Sequence, residues 1–296
     1  MLALMKLQES RTQNQSRISI FVDSHVHIHD CFGTEAFLSA AARNFSFFAA
    51  GSTAEAKPKF VLCLTETSKS NKFNELADQV EAASRPTVAE GSGWSFRRGL
   101  GDETLIAEHP DFVEMVIVAG RQIVTVERLE ILALGTTAEW EDGLPIVDVV
   151  RSVSEAGAIP VLPWGFGKWL GSRRNVMTNV MTEFSGGQLY LGDNSGRPSI
   201  LPEPPEFALA KEFGMRVLPG SDPLPFESEY DRAGSFGFFI ENVDDCNGVW
   251  AGLCTMLQKG EGNLHSYGSL ESPLRFVRNQ VAMQYVTRVA NRRKAS

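Results

Sequence analysis

Ile18-Ser19-Ile20-Phe21-Val22-Asp23-Ser24-His25-Val26-His27-Ile28-His29-Asp30 is the stretch whose reading decides the fold. Ile18–Asp23 is short, apolar and rich in β-branched and aromatic residues, as expected of a buried strand. Three of the chain's five histidines follow within five residues. Side chains alternate along an extended chain, so His25, His27 and His29 project from one face. Two imidazoles on one face can share a divalent ion. His29 is the weaker ligand candidate, because the strand should end before it. A polar rim on a strand end is the structural alternative to a metal site.

Outward from this stretch, strands and helices alternate. Phe60–Leu64 reads as a second buried strand. Helix is expected from Thr34, and Phe73, Leu76, Val80 and Ala83 predict an amphipathic helix over Asn71–Ala83. Met115–Val118, Gln122–Val126 and Leu129–Leu134 read as strands, the last two as a hairpin. Two αβ units follow, Ile146–Ala156 with Ala158–Leu162 and Glu206–Phe213 with Met215–Leu218, stopped by Gly157 and Gly214. Gln188–Leu191 adds a strand. Ser272-Pro273 caps a last helix with Leu274, Val277, Val281 and Tyr285 on one face. About seven strands and no Gly-rich dinucleotide turn predict an α/β fold built as a single TIM-like barrel, with chemistry at the C-terminal strand ends. Residues 1–17 read as a flexible tail and residues 18–296 as one domain.

The composition narrows function. Of 296 residues, 43% are hydrophobic and 22% charged, as in ordinary globular domains. The net charge of −8 argues against nucleic acid and anionic membranes as partners. A short apolar start and no run of about 18 apolar residues give neither a signal peptide nor a span. Cys31, Cys63, Cys246 and Cys254 are scattered, form no C-x-x-C pair, and read as reduced thiols in the cytoplasm.

A second strand end, Pro219-Gly220-Ser221-Asp222, places a carboxylate where it can join the histidines or accept a proton from water. Its structural alternative is an Asx turn. Arg121, Lys168, Arg173, Arg174 and Arg197 fall in loops after strands and could make a cationic pocket for a small anionic molecule, or be solvated charge. Asp193 is a further carboxylate candidate or a turn former. Trp164 and Trp169 are stacking candidates or core. His109 and His265 read as loop residues without partners. No Gly-x-Ser-x-Gly elbow and no P-loop is present.

The order of these fragments resembles the polymerase and histidinol phosphatase (PHP) domain over about residues 18–240. Val22–His27 resembles its first motif, and Leu62–Thr67 stands where the family has Thr-Asp-His. Ile117–Gly135 resembles its Gly-x-Glu strand and hairpin. Gly157–Gly165 is similar to the stretch ending in Ala-His-Pro, and Ala208–Leu224 to the final Gly-Ser-Asp-Ala-His motif. The resemblance implies a distorted (β/α)7 barrel and a metal-dependent phosphoesterase. It matches His25, His27 and Asp222, with Asp30 and Glu66 near other carboxylate positions. Thr67, Gln122, Trp164 and Leu224 stand where the family has ligands. Trp and Leu cannot coordinate, and Gln cannot supply a bridging charge.

A reduced site is therefore expected. His25, His27, Asp222 and Asp30 are the metal candidates, for one zinc, manganese or iron ion or for none. Asp222, Glu66 and Arg121 are the catalytic candidates, and Lys168, Arg197, Gln122, Trp164 and Asp193 would meet substrate. The leading expectation is a phosphoesterase-like hydrolase acting on a small anion. The alternatives are a metal-free anion-binding protein on the same fold and, third, an amidohydrolase-type hydrolase.

Overall fold

The computed structural model describes residues 17–52, 58–82, 87–88 and 93–295. The expected tail therefore lies outside the described residues, except Arg17, which opens the first strand.

Strand β1 (Arg17–Val26) is buried on both faces, as its continuous apolar run demands. It pairs in parallel with β2 (Pro58–Leu64) and antiparallel with β12 (Phe236–Asp244). Beyond β2 lie β6 (Phe112–Val118), β5 (Thr104–His109), β4 (Ser95–Arg98) and β3 (Thr87–Val88), and β13 (His265–Gly268) flanks β12. A second sheet runs β11 (Val217–Gly220), β10 (Tyr190–Asn194), β9 (Ile159–Pro163), β8 (Glu130–Leu134) and β7 (Gly120–Val124). The fold is mixed α/β, as expected, but its ladders form two sheets rather than one closed ring.

Both sheets face a shared core. Ile20, Val22, Val61 and Val118 of the first meet Leu132, Val161 and Leu218 of the second. The outer face of the first sheet is covered by α1 (Thr34–Ala50), whose Phe37, Leu38 and Phe45 pack on Phe21, Phe60 and Leu62, and by α2 (Lys72–Ala82). The second sheet is covered by α3 (Ile146–Glu155), α4 (Ser172–Glu183) and α5 (Pro205–Glu212). Gly157 and Gly214 adopt φ of 76° and 70°, the left-handed stops that the sequence predicts.

The sheets touch at two seams. At one, Glu66 and Arg121 form a parallel bridge, with Gln122 N–H donating to Glu66 O at 2.9 Å. Gly120 is needed there, since a Cβ would stand 2.4 Å from Leu64 O. At the other, Asp222 N–H donates to His25 O at 2.8 Å and Ser24 Oγ–H to Pro219 O at 2.8 Å. A Cβ on Gly220 would stand 2.4 Å from His25 N, so only glycine lets β11 lie this close to β1.

Two expectations are corrected. Between α2 and β6, β3–β5 extend the first sheet, so His109 is not a loop residue but ends β5 with its ring against Trp94 and Phe112. His265 opens β13 and stacks on Phe239 at 4.8 Å. The last helix, α7 (Pro273–Ala295), follows α6 (Val249–Lys259) and β13, but its apolar stripe faces outward. Leu274 is 86% exposed, Val277 59% and Val281 65%; the side chain of Tyr285 lies outside the described residues. Its Arg275, Phe276 and Asn279 turn inward instead, toward buried Glu229 and the aromatic Phe166. Periodicity defines a helix face but not which face finds partners. Among the described residues, no helix is long and apolar enough to cross a membrane.

Candidate metal centre

The two seams bring the ends of β1 and β11 together, and the chemistry collects there. His25 is buried, and His27 and Asp222 are nearly so. His25 Nε2 and His27 Nε2 are 3.1 Å apart, and Asp222 Oδ1 lies 3.5 Å and 3.6 Å from them. Nitrogens held about 2.0–2.1 Å from a tetrahedral ion stand about 3.3 Å apart, so these three atoms have the spacing that one such ion imposes. Two imidazoles and a carboxylate are also the chemistry of a zinc-type site. Among the described residues these are the three that converge as a ligand group.

Each ligand is held. Asp23, just before the pair, is fully buried and accepts from the N–H groups of Ser221 and Gly234, both at 2.8 Å, and of His25 at 3.3 Å. Burial pushes its carboxyl up to about 6, against the pull of those three donors. Asp222 sits at φ 47°, a left-handed conformation tolerated by Asp, which turns its carboxylate toward the histidines. Burial raises the Asp222 carboxyl, but His25, His27, Lys168 and Asn194 outweigh it and hold it below the usual range. Burial, with His25 beside it, pushes His27 down to about 3, so its imidazole is neutral and able to coordinate at neutral pH.

The other candidates are placed as follows. Gln122 Oε1 lies 3.3 Å from His25 Nε2, beside the cluster. Trp164 and Lys168 line the cavity that opens onto His25 and Asp222, with Lys168 paired to Glu130. Asp30 does not join the cluster; it is exposed and pairs with Lys72 at 3.2 Å. Nor does His29, whose Nε2–H donates to Pro223 O at 2.9 Å. Glu66 is buried, but its oxygens accept from Lys72 N–H, Phe73 N–H and Ser70 Oγ–H, which caps the start of α2. Arg121 donates to Ser70 O at 2.9 Å and to Glu139 at 2.8 Å. Arg197 grips Asp193 with two hydrogen bonds of 2.9 Å and 2.8 Å. Arg173 donates to Gly167 O, Arg174 pairs with Glu206, and Trp169 is core against Phe207. The expected cationic pocket is thus not assembled, because these cations are matched by nearby acceptors that spacing in sequence does not reveal.

Sequence reasoning missed three contributions. Asn194, at the end of β10, donates through Nδ2 to Asp222 Oδ2; its Oδ1 accepts from Gly196 N–H at 2.6 Å, which fixes the amide. Strand-end placement was its available signal. Glu229 and Glu271 form buried ion pairs with Arg232 and Arg275 along the cavity wall. Phe276 of α7 stacks edge-on against Phe166, their centroids 5.0 Å apart.

No family model matches the chain, and no curated protein matches it in sequence. Solved structures share its fold. PsfC from Pseudomonas syringae is similar over 90% of this chain and 99% of its own, with a TM-score of 0.54 and 12% identity. The lesion-specific endonuclease PfuEndoQ from Pyrococcus furiosus is similar over 84% of this chain, TM-score 0.51, identity 12%; the match spans 57% of that protein. A two-domain protein from Bacteroides vulgatus, described as containing a predicted PHP-like metal-dependent phosphoesterase, follows at a TM-score of 0.44 and 13% identity. Such likeness is one of fold alone. The exclusion of nucleic acid is corrected: an endonuclease shares this fold. Net charge describes the whole surface, whereas nucleic acid is met by a local patch.

Proposed function

We propose that the protein is a metal-dependent phosphoester hydrolase with a single divalent ion, zinc, manganese or iron, held by His25, His27 and Asp222. The observation that carries this reading is the convergence of three ligand atoms with the spacing of one tetrahedral ion. When bound, the ion supplies Lewis acidity toward a phosphoryl oxygen and toward water. The chain's residues do the rest. Neutral His27 offers its lone pair, ionised Asp222 supplies the anionic ligand, and Asn194 ties down the second carboxylate oxygen. Gln122 stands beside the pair. Lys168 lines the cavity with Trp164 and helps hold the Asp222 carboxylate ionised.

The two seams also support a barrel-like closure of the sheets over residues 18–296 as one unit, with the site at its C-terminal rim. Four free thiols fit a reducing compartment such as the cytoplasm. The test is hydrolysis of bis(4-nitrophenyl) phosphate by protein supplied with each ion in turn. Turnover that a chelator abolishes, and that His25→Ala/His27→Ala lacks, is expected. Equal turnover by the double variant would refute the reading.

A further inference from the structure

Two cavities flank the ligand cluster, and their linings are unlike. The first, about 210 Å3, opens onto His25 and Asp222 and is walled by Trp164, Phe166 and Phe276. It is smaller than usual ligand clefts of roughly 300–1,000 Å3, so it suits one ring rather than a whole substrate. The second, about 330 Å3, is lined mostly by polar and charged groups, among them Glu66, Ser68, Ser70, Asn71 and Arg121, with Trp140 at one side. Gln122 stands between them, since it lines the second and reaches His25 with its Oε1.

The first cavity has no cation to spare. Four carboxylates line it, Glu130, Asp222, Glu229 and Glu271, against two cations, Lys168 and Arg232. Lys168 is paired with Glu130, and Arg232 lies 3.7 Å from Glu229 and 3.5 Å from Glu271. Behind that lining Arg275 also pairs with Glu229 at 2.9 Å and lies 3.7 Å from Glu271, so a divalent ion on the cluster would leave one positive charge to be matched. A phosphomonoester would then add two negative charges to a closed pocket, whereas a phosphodiester adds one and has a group for each side.

Resting on the hydrolase reading, we infer that the substrate is a phosphodiester carrying an aromatic ring, which enters between Trp164 and Phe276 while the other ester group lies in the polar cavity. Phe276 comes from α7 and Trp164 from the loop after β9, so the ring's slot is made only where this helix crosses the mouth. Aromatic walls recognise a flat apolar ring by area and edge geometry.

The test is calorimetric binding to the zinc-supplied full chain, with no turnover required. Diphenyl phosphate should bind at least about tenfold tighter than dibutyl phosphate and than phenyl phosphate. Phe276→Ala and Trp164→Ala should each erase the preference over dibutyl phosphate. Dithymidine monophosphate binding as well as diphenyl phosphate would assign the ring to a nucleobase, and its weaker binding would assign it to a simple aryl group. Tighter binding of phenyl phosphate, or equal binding of dibutyl phosphate, would overturn the inference using wild-type protein alone. Zinc binding without ring preference would sink this inference and leave the hydrolase standing. Ring preference without any metal binding would sink the hydrolase reading and with it the assignment as substrate, leaving a cavity that only binds an aromatic ring.

Discussion

Asn194 governs Asp222 without touching an ion. Its Nδ2 occupies Asp222 Oδ2, which leaves Oδ1 directed at His25 and His27. Partners that orient a ligand typically matter about 10–100-fold in metal affinity. Asn194→Ala should therefore weaken zinc binding by about tenfold in a calorimetric titration, with both histidines intact; unchanged affinity would remove it from the site. His27 makes a second prediction at this scale. Its folded value of about 3 lies below the ordinary 6.5, so protons prefer the unfolded chain between those values. The stability it confers on metal-free protein is present above about pH 6.5 and lost as pH falls toward about 3. His27→Gln should flatten the melting temperature between pH 6.5 and 4 relative to wild type, and parallel curves would contradict the assigned shift. These contributions differ in how far the sequence discloses them. The H-x-H spacing announces His25 and His27, because alternation on one strand is local. Asn194 ends β10, and its partner Asp222 is 28 positions further on.

At the scale of elements, the site exists because β11 lies against β1. Gly220 sets that approach, and Gly220→Ala would drive a Cβ to 2.4 Å from His25 N. Overpacking of this kind costs about 1–3 kcal/mol. Urea unfolding should show that loss together with weakened zinc binding, since Asp222 moves with β11; a variant as stable and as zinc-competent as wild type would refute the seam's role. The elements around this seam were readable from sequence. Ile18–Asp23, the Gly157 and Gly214 stops and the strand before Asp222 are written in runs and punctuation. Strands β3–β5 were not, because Arg97, Arg98 and Glu108 interrupt their apolar residues. The last helix was readable but its orientation was not, since Arg275 and Asn279 face inward only to meet the acids Glu229 and Glu271.

For the whole molecule, two sheets enclose one core and meet at two narrow seams, with the ligand cluster above the second. Net charge of −8 led to a wrong exclusion, because it averages over a surface on which recognition is local. Of the cations expected to form one pocket, Arg173 meets a backbone carbonyl and Arg197 the nearby Asp193, while Arg121, Lys168 and Arg174 are answered by carboxylates brought from elsewhere in the chain. Long-range pairing of this kind leaves no mark in spacing. What survives is the central claim, one ion on three ligands. Its most direct test is elemental analysis of untagged protein after reconstitution with zinc, beside His25→Ala/His27→Ala. The account predicts one ion per chain, lost in the double variant. Absence of bound metal in wild type, or two or three ions per chain, would contradict it.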